Sequence, residues 1–212
     1  MASIVKNNQL NNRASSKSVF LEGIKTKRVN VYWHLVDRLS YKSKLIANIY
    51  EKTIGASYRD EIGKFKLKDS KNILHIGCGS YPITAMCLLE IKDAKIVTID
   101  IYKKSLELAK KLIKRKNLEG KINVSYGDGK KFPLDSFDTI IVSGCSVPKI
   151  QVWSHILNNA KPNTRIIIRI TNFDPDTIME LTDSKGKVKF IDELYCKPYP
   201  TCYWDSYLFV KK

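Results

Sequence analysis

The fold is decided by residues 72–84, which read NILHIGCGSYPIT. The first five residues form an apolar run, Gly77 ends it, and Gly79 follows two positions later. Glycine permits tight turns in which the backbone approaches a ligand closely, and a proline suits the first turn of a helix. The stretch therefore predicts a buried strand over Asn72–Ile76, a glycine turn, and a helix over 82–91.

Apolar runs and amphipathic segments alternate downstream of this stretch. Strands are predicted at 95–99, 122–126, 139–143 and 165–170, and helices at 103–117 and 149–159. Strict alternation implies right-handed crossovers and a parallel sheet covered on both faces. The last two predicted strands, at 187–191 and 203–210, have no helix between them and should pair antiparallel. The predicted fold is a Rossmann-like, doubly wound α/β sheet, mostly parallel, with an antiparallel C-terminal edge strand.

The N-terminal third has a different, helical pattern. Apolar residues recur there at spacings of three to four, at Val31, Leu35, Leu39, Leu45, Ile46 and Ile49. The pattern predicts amphipathic helices after a loose polar tail that ends near Ser18, with Ser40 or Ser43 as the cap of a helix. We therefore expect a helical extension over 1–68 that caps the site, and a sheet domain over 69–212.

The chain is strongly basic, with 37 Lys and Arg against 21 Asp and Glu, a net charge of +16. Such a charge can attract nucleic acid, but 30 of the 37 basic residues are Lys and only 7 are Arg, the residue best suited to bidentate phosphate recognition. Nucleic acid is thus a possible partner that is not favoured. About half of the net charge lies in the N-terminal third, where it could select an anionic acceptor.

Export, membrane insertion and metal binding are not indicated by the sequence. No apolar run approaches the roughly 20 residues that span a bilayer, and the N-terminus is polar. The five cysteines contain no C-x-x-C pair, and the three histidines lie far apart, so reduced thiols and no local metal site are expected. The expected location is the cytoplasm, with no membrane partner.

An acidic residue at the end of the second predicted strand indicates a nucleoside ligand. Asp100 lies 21 residues after Gly79, where a carboxylate can accept hydrogen bonds from both hydroxyls of a ribose. The third glycine of the dinucleotide fingerprint G-x-G-x-x-G is replaced by Pro82, which disfavours NAD and FAD. An adenosine ligand without phosphates fits these residues better.

The third and fourth predicted strands also end in candidate ligand contacts. Asp128, within Gly-Asp-Gly, could accept a hydrogen bond from the amine of adenine, although the same tripeptide is also good turn chemistry. The fourth strand ends at Ser143-Gly144-Cys145, beside the first strand, where the reactive end of a ligand should lie.

Taken together, these motifs resemble the class I S-adenosylmethionine-dependent methyltransferases over residues 71–210. Residues 73–79 are similar to the glycine-rich motif, 97–100 to the ribose-binding motif, 127–128 to the adenine-contacting motif, and 137–142 to the central strand. The resemblance implies an enzyme that binds S-adenosyl-L-methionine and methylates a small molecule or a protein side chain. The cofactor contacts that it implies are Gly77, Cys78, Gly79, Ser80, Thr84, Asp100, Ile101, Asp128, Gly129, Ser143, Gly144 and Cys145.

Two alternatives remain open at this stage. The G-x-G-x-x-P-x-T pattern of residues 77–84 is similar to nicotianamine synthases, which implies aminocarboxypropyl transfer from the same cofactor. Glu51 is then either a catalytic glutamate or a solvated helix residue. An RNA-directed methyltransferase or RNA-binding protein is the second alternative, through the basic N-terminal helices. Cys145 lacks the preceding proline of RNA cytosine methyltransferases and is interpreted as a structural or cofactor-lining residue.

The acceptor is expected under the N-terminal helices and the loop 197–203. That loop and the next residue bring Tyr199, Tyr203 and Trp204, which form either an aromatic wall or ordinary edge packing. Tyr81 faces the same space as a gate or a packed aromatic residue. The sequence nominates no general base.

Overall fold

The computed structural model describes residues 31–170, 184–198 and 203–212, and seven strands of these ranges form one sheet. In chain order they are β1 (Asn72–Ile76), β2 (Lys95–Asp100), β3 (Ile122–Tyr126), β4 (Thr139–Val142), β5 (Arg165–Ile170), β6 (Val188–Cys196) and β7 (Trp204–Lys211). The spatial order is β3-β2-β1-β4-β5-β7-β6. The predicted mostly parallel, doubly wound sheet is confirmed, and β1 has the bounds that the sequence indicated.

The C-terminal pair is antiparallel, as expected, and occupies one edge of the sheet. β7 runs antiparallel to both β5 and β6, while the five strands before them are parallel. Within the pair, β7 is the inner strand and β6 the outer one, because β5 takes β7 as its hydrogen-bonding neighbour. The antiparallel strand therefore lies one position inside the edge.

Five helices are described, and most begin where the sequence indicated. They are α1, described over 31–42, α2 (Lys44–Lys64), α3 (Ile83–Cys87), α4 (Lys103–Arg115) and α5 (Lys149–Asn159). Ser43 caps α2 by accepting a hydrogen bond from the Ile46 N–H at 3.4 Å, so the second of the two candidate caps is used. The helix expected over 82–91 is shorter than predicted, since α3 gives way to a 3-10 turn at Leu88–Glu90.

The core lies on both faces of the sheet, because successive strand residues point to opposite sides. Ile73 belongs to the cluster that packs under α2, α3 and α4, and its neighbour Leu74 belongs to the cluster under α5. Tyr50 and Ile54 of α2 are part of the first cluster, so the described part of the N-terminal extension shares the core of the sheet. None of the described helices is long and apolar enough to cross a membrane.

Candidate functional site

A cavity of about 510 Å³ opens at the carboxyl ends of the central strands. β2 and β3 lie on one side of β1, and β4 and β5 lie on its other side. The strand order therefore reverses between β1 and β4. A reversal of this kind opens a crevice between the loops that follow neighbouring strands. Here the loops after β1, β2, β3 and β4 line the cavity, and α1 and α2 supply a further wall.

Eleven of the twelve residues implied by the sequence line this cavity. They are Gly77, Cys78, Gly79, Thr84, Asp100, Ile101, Asp128, Gly129, Ser143, Gly144 and Cys145. Ser80 is the exception, because it is buried at 2% exposure and its N–H donates to the carboxylate of Asp37 at 3.0 Å. Ser80 therefore anchors α1 to the glycine turn and does not face the cavity.

The glycine turn requires glycine for two separate reasons. Gly77 and Gly79 have φ angles of +88° and +64°, which side chains rarely adopt. A Cβ on Gly77 would overlap the Ser146 hydroxyl, and a Cβ on Gly79 would overlap the Asp37 carboxylate. The second overlap arises because α1 packs its acid directly on the turn.

Asp100 is held rigidly at the end of β2. Its Oδ2 accepts a hydrogen bond from the Gly79 N–H and its Oδ1 one from the Tyr102 N–H, both at 2.9 Å. The carboxylate is 8% exposed and lines the cavity. Each oxygen keeps further acceptor capacity, so the arrangement suits a ligand with two adjacent hydroxyl donors.

Asp128 both forms a turn and lines the cavity. Its Oδ1 accepts a hydrogen bond from the Lys130 N–H at 3.0 Å, and the Lys130 ammonium lies 3.8 Å from its Oδ2. Asp128 therefore stabilises a turn, as the Gly-Asp-Gly tripeptide indicates. The carboxylate nonetheless remains on the cavity wall, so the turn does not exclude a ligand contact.

A buried histidine connects the ends of β1 and β4. The Ser143 hydroxyl donates to the Gly77 carbonyl at 2.9 Å, so it accepts from His75 Nε2 at 2.8 Å, and His75 Nδ1 lies 3.0 Å from the Thr98 hydroxyl. Burial, aided by the charge of Arg169, lowers the pKa of His75 to about 3. The imidazole is neutral and fixes the relative positions of the loops.

Cys145 is a thiol and not a thiolate at neutral pH. Burial raises its pKa to about 12, although the Lys149 ammonium acts in the opposite direction. Lys149 donates to the carbonyls of Ser143 at 3.2 Å, Gly144 at 2.6 Å and Arg169 at 3.1 Å. The lysine thus braces the loop in which Cys145 lines the cavity, and the geometry agrees with a lining role.

Sequence reasoning missed Asp37, which lies on the buried face of α1 and lines the cavity. Its carboxylate accepts hydrogen bonds from the Ser80 N–H and, at 3.3 Å, from the Tyr50 hydroxyl. Burial, aided by the charge of Asp100, outweighs these hydrogen bonds and raises the pKa of Asp37 to about 7. A signal was present in the sequence, because Asp37 is the one acid of 31–42 and falls among apolar positions of that helix.

A buried ion pair at the cavity wall was also missed. The Arg169 guanidinium donates to both carboxylate oxygens of Glu61, at 2.7 and 3.0 Å, and to the Thr84 hydroxyl at 2.9 Å. It also stacks on the Tyr58 ring, 3.8 Å from the centroid. No local motif predicts this pair, because Glu61 and Arg169 are 108 residues apart in the sequence.

The aromatic residues expected near the acceptor are present only in part among the described residues. Tyr203 and Trp204 line the cavity, whereas Tyr199 lies outside the described ranges. Tyr81 also lines the cavity, although it is 1% exposed, and its hydroxyl donates to Glu51 at 2.6 Å. Glu51 is also 3.2 Å from the Lys116 ammonium and is not among the described residues that line the cavity, so its role as a candidate stays a prediction.

Within the described ranges, Cys78, Cys87, Cys145 and Cys196 are free thiols. The same ranges contain no group of three or more His, Cys, Asp or Glu placed to hold a metal ion. The fifth cysteine, Cys202, lies outside them.

Known proteins share both the sequence pattern and the fold. A family model described as a methyltransferase domain matches residues 67–199. A malonyl-[acyl-carrier protein] O-methyltransferase of Halalkalibacterium halodurans is 27% identical over 168 residues, covering 71% of this chain and 55% of that protein. The chain thus spans about half the length of this curated relative.

Two crystal structures of a mutant of MtNAS, one of them in complex with S-adenosylmethionine, have TM-scores of 0.65 and 0.63. Both are 20% identical to this chain, covering 83% and 89% of it and 68% and 73% of their own chains. At this identity the likeness shows a shared fold.

Proposed function

Because the chain belongs to the methyltransferase-domain family, the class I S-adenosylmethionine-dependent methyltransferases, we propose that it transfers a methyl group to a small molecule or a protein side chain. The observation that carries this proposal is the fixed carboxylate of Asp100 at the strand-order reversal, with one N–H on each oxygen. S-adenosylmethionine is the cofactor of the family, and its ribose offers the two adjacent hydroxyls that such a carboxylate accepts.

The cavity-lining residues suggest a position for each part of the cofactor. Gly77 and Gly79 would allow the methionine moiety to approach the backbone closely, and Asp100 with Ile101 would hold the ribose. Asp128 and Gly129 would contact the adenine. The loop Ser143–Cys145 would lie on the sulfonium side, since it follows the strand beside β1.

The residues of this chain then act mainly by positioning. When bound, the cofactor supplies a methyl carbon that is already electrophilic, so the protein must align the acceptor with it and exclude water. The neutral His75 and the fully engaged Lys149 hold the wall that contains Ser143, and α1 with α2 covers the cavity. Neither of these two side chains is free to act as an acid or base.

Calorimetric titration with S-adenosylmethionine tests the proposal. We expect the wild-type protein to bind the cofactor and the Asp100→Ala variant to bind it at least about tenfold more weakly, which is about 1.4 kcal/mol. Asp135→Ala is the matched control, because Asp135 is an exposed acid outside the cavity lining. Equal affinity of wild type and Asp100→Ala would overturn the ribose assignment, and no binding by wild type would overturn the function.

A second candidate, aminocarboxypropyl transfer from the same cofactor, rests on one feature of the chain. Residues 77–84 have a G-x-G-x-x-P-x-T pattern that is similar to that of nicotianamine synthases. Product analysis separates the two reactions, because methyl transfer releases S-adenosylhomocysteine and aminocarboxypropyl transfer releases methylthioadenosine.

A further inference from the structure

The charge of the cavity wall differs from the charge of the whole chain. Three carboxylates line the cavity, those of Asp37, Asp100 and Asp128, and among the described lining residues only Lys130 and Arg169 carry Lys or Arg cations. The excess of acid is notable in a chain with a net charge of +16. A ligand in this cavity therefore meets an environment that the overall charge does not predict.

The two cations are both paired with carboxylates, but only one of the pairs is buried. Arg169 is 2% exposed, and its three hydrogen-bonding nitrogens are directed at Glu61 and Thr84. Lys130 lies 3.8 Å from Asp128 and its side chain is 41% exposed, so this pair is weak. An anionic acceptor would therefore meet three carboxylates, one buried cation that is already paired and one partly exposed lysine.

Asp37 is in the opposite situation, because it is a buried acid without a cationic partner in the described part of the chain. Its exposed fraction is 7%, and its hydrogen bonds come from the neutral donors Ser80 N–H, Tyr81 N–H and the Tyr50 hydroxyl. No ion pair involving Asp37 is formed there, and the side chain lines the cavity. A buried carboxylate of this kind is stabilised by an incoming cation or by a proton.

We propose that the acceptor is an amine that enters the cavity as an ammonium ion, and that Asp37 binds it and takes up its proton. The inference rests on the proposed function and names the acceptor class of the same site. Aromatic rings from several elements surround this space, and the faces of such rings attract ammonium groups. They include the rings of Trp33 on α1, Tyr50 and Tyr58 on α2, Tyr81 in the glycine turn, and Trp204 on β7.

The reaction balances with these participants. The Asp37 carboxylate accepts one proton from the ammonium and leaves a neutral amine with a free lone pair. That lone pair forms a bond to the methyl carbon, and the carbon–sulfur bond breaks with its electrons remaining on sulfur. The products are S-adenosylhomocysteine and a methylated ammonium, and the proton leaves Asp37 for solvent.

The pKa of Asp37 suits it to accept a proton and to release it again near neutral pH. Its pKa is raised to about 7 by burial and by the neighbouring Asp100 charge, which places the carboxyl close to neutral pH. The titratable groups that face it are those of Tyr50 on α2, Cys78 and Tyr81 in the glycine turn, Asp100 at the end of β2, and Cys145 after β4. The carboxylate of Asp100 faces the same space, and its charge also favours a cation.

Three probes of one shape test the acceptor class without requiring turnover. We would titrate 2-phenylethylammonium, 2-phenylethanol and 3-phenylpropanoate into the protein saturated with S-adenosylhomocysteine, by calorimetry at pH 8. We expect the ammonium to bind at least tenfold more tightly than either other probe, and Asp37→Asn to remove this preference. A carboxylate that binds as tightly as the ammonium, or the absence of any preference for the ammonium, would overturn the inference.

The same variant separates this inference from the proposed function. Asp37→Asn should bind S-adenosylmethionine within threefold of wild type, because the ribose carboxylate is intact, and urea unfolding confirms that it folds. A loss of cofactor affinity in Asp37→Asn alone would show that Asp37 holds the cofactor's own ammonium, which overturns the acceptor assignment and leaves the function standing. Failure of the wild type to bind cofactor would instead contradict the proposed function.

Discussion

At the residue scale, Gly79 contacts two elements, β2 through Asp100 and α1 through Asp37. The Gly79 N–H donates to Asp100, and the space above Gly79 is filled by the Asp37 carboxylate of α1. The identity of residue 79 therefore affects both the position of the Asp100 carboxylate and the packing of α1 on the glycine turn. The first dependence follows from the motif, whereas the second needs the packing.

Substitution of Gly79 by alanine should impair both stability and cofactor binding. The residue has a φ of +64°, and a Cβ there would overlap the Asp37 carboxylate, so we expect a loss of about 1–3 kcal/mol in unfolding free energy. Urea unfolding and calorimetry with S-adenosylmethionine measure the two effects. Gly120→Ala is the control, because a Cβ at Gly120 meets nothing within 4 Å. Equal stability of the two variants would contradict this account.

At the element scale, a buried ion pair connects α2 to the sheet. Glu61 of α2 and Arg169 of β5 are 1% and 2% exposed, and the Ser206 hydroxyl of β7 donates to the same carboxylate. The pair joins three elements distant in sequence directly beside the cavity. The helices 31–64 are thus part of one packed unit with the sheet, although their separate status as a cap over residues 1–68 stays a prediction.

Replacement of Glu61 by glutamine should be strongly destabilising, because it leaves Arg169 buried without its counter-charge. Removal of one partner of such a pair costs about 3–5 kcal/mol. Glu90→Gln is the matched control, since Glu90 pairs with Arg59 on the surface at 2.6 Å and exposed pairs contribute about 0–1 kcal/mol. Unfolding midpoints in urea report both values, and a Glu61→Gln effect no larger than that of the control would show that the pair does not join the elements.

At the scale of the whole molecule, the net charge of +16 says little about the site. Much of it lies on helix surfaces such as α4, whereas the cavity wall is acidic. Of the Lys, Arg, Asp and Glu residues described over 31–68, Asp37 is the one that lines the cavity. The expectation that the basic N-terminal third selects an anionic acceptor therefore finds no support in this part of the chain and stays a prediction. No observation within the described residues favours RNA binding over catalysis.

The free energy of unfolding should depend on pH through the titration of Asp37. Its folded-state pKa of about 7 is above the ordinary value of 3.8, so the folded state binds the proton more tightly than the unfolded state does. Stability from this group is present at low pH and is lost as pH rises from about 4 to about 7. The Asp37→Asn variant lacks this titration, so its stability relative to wild type should increase between pH 4 and pH 8.

Urea midpoints of both proteins at the two pH values measure this difference. The comparison is needed because His75 acts in the opposite direction: its pKa of about 3 makes stability rise with pH between about 3 and 6.5. The effect of His75 is common to both proteins and cancels in the difference. A difference that is the same at pH 4 and pH 8 would show that Asp37 is not shifted.

The sequence by itself determined the order and type of the main elements and eleven of the residues that line the cavity. It could do so because alternating apolar runs, the glycine turn and acids at strand ends are local patterns that the carboxyl ends of parallel strands bring together. Only the tertiary structure showed the charge of the cavity wall and the contribution of α1 and α2 to that wall. Asp37 contacts the glycine turn across 43 residues and Glu61 contacts Arg169 across 108. The sequence marks Asp37 as an acid among apolar helix positions, but a local pattern does not show which distant segment either acid meets.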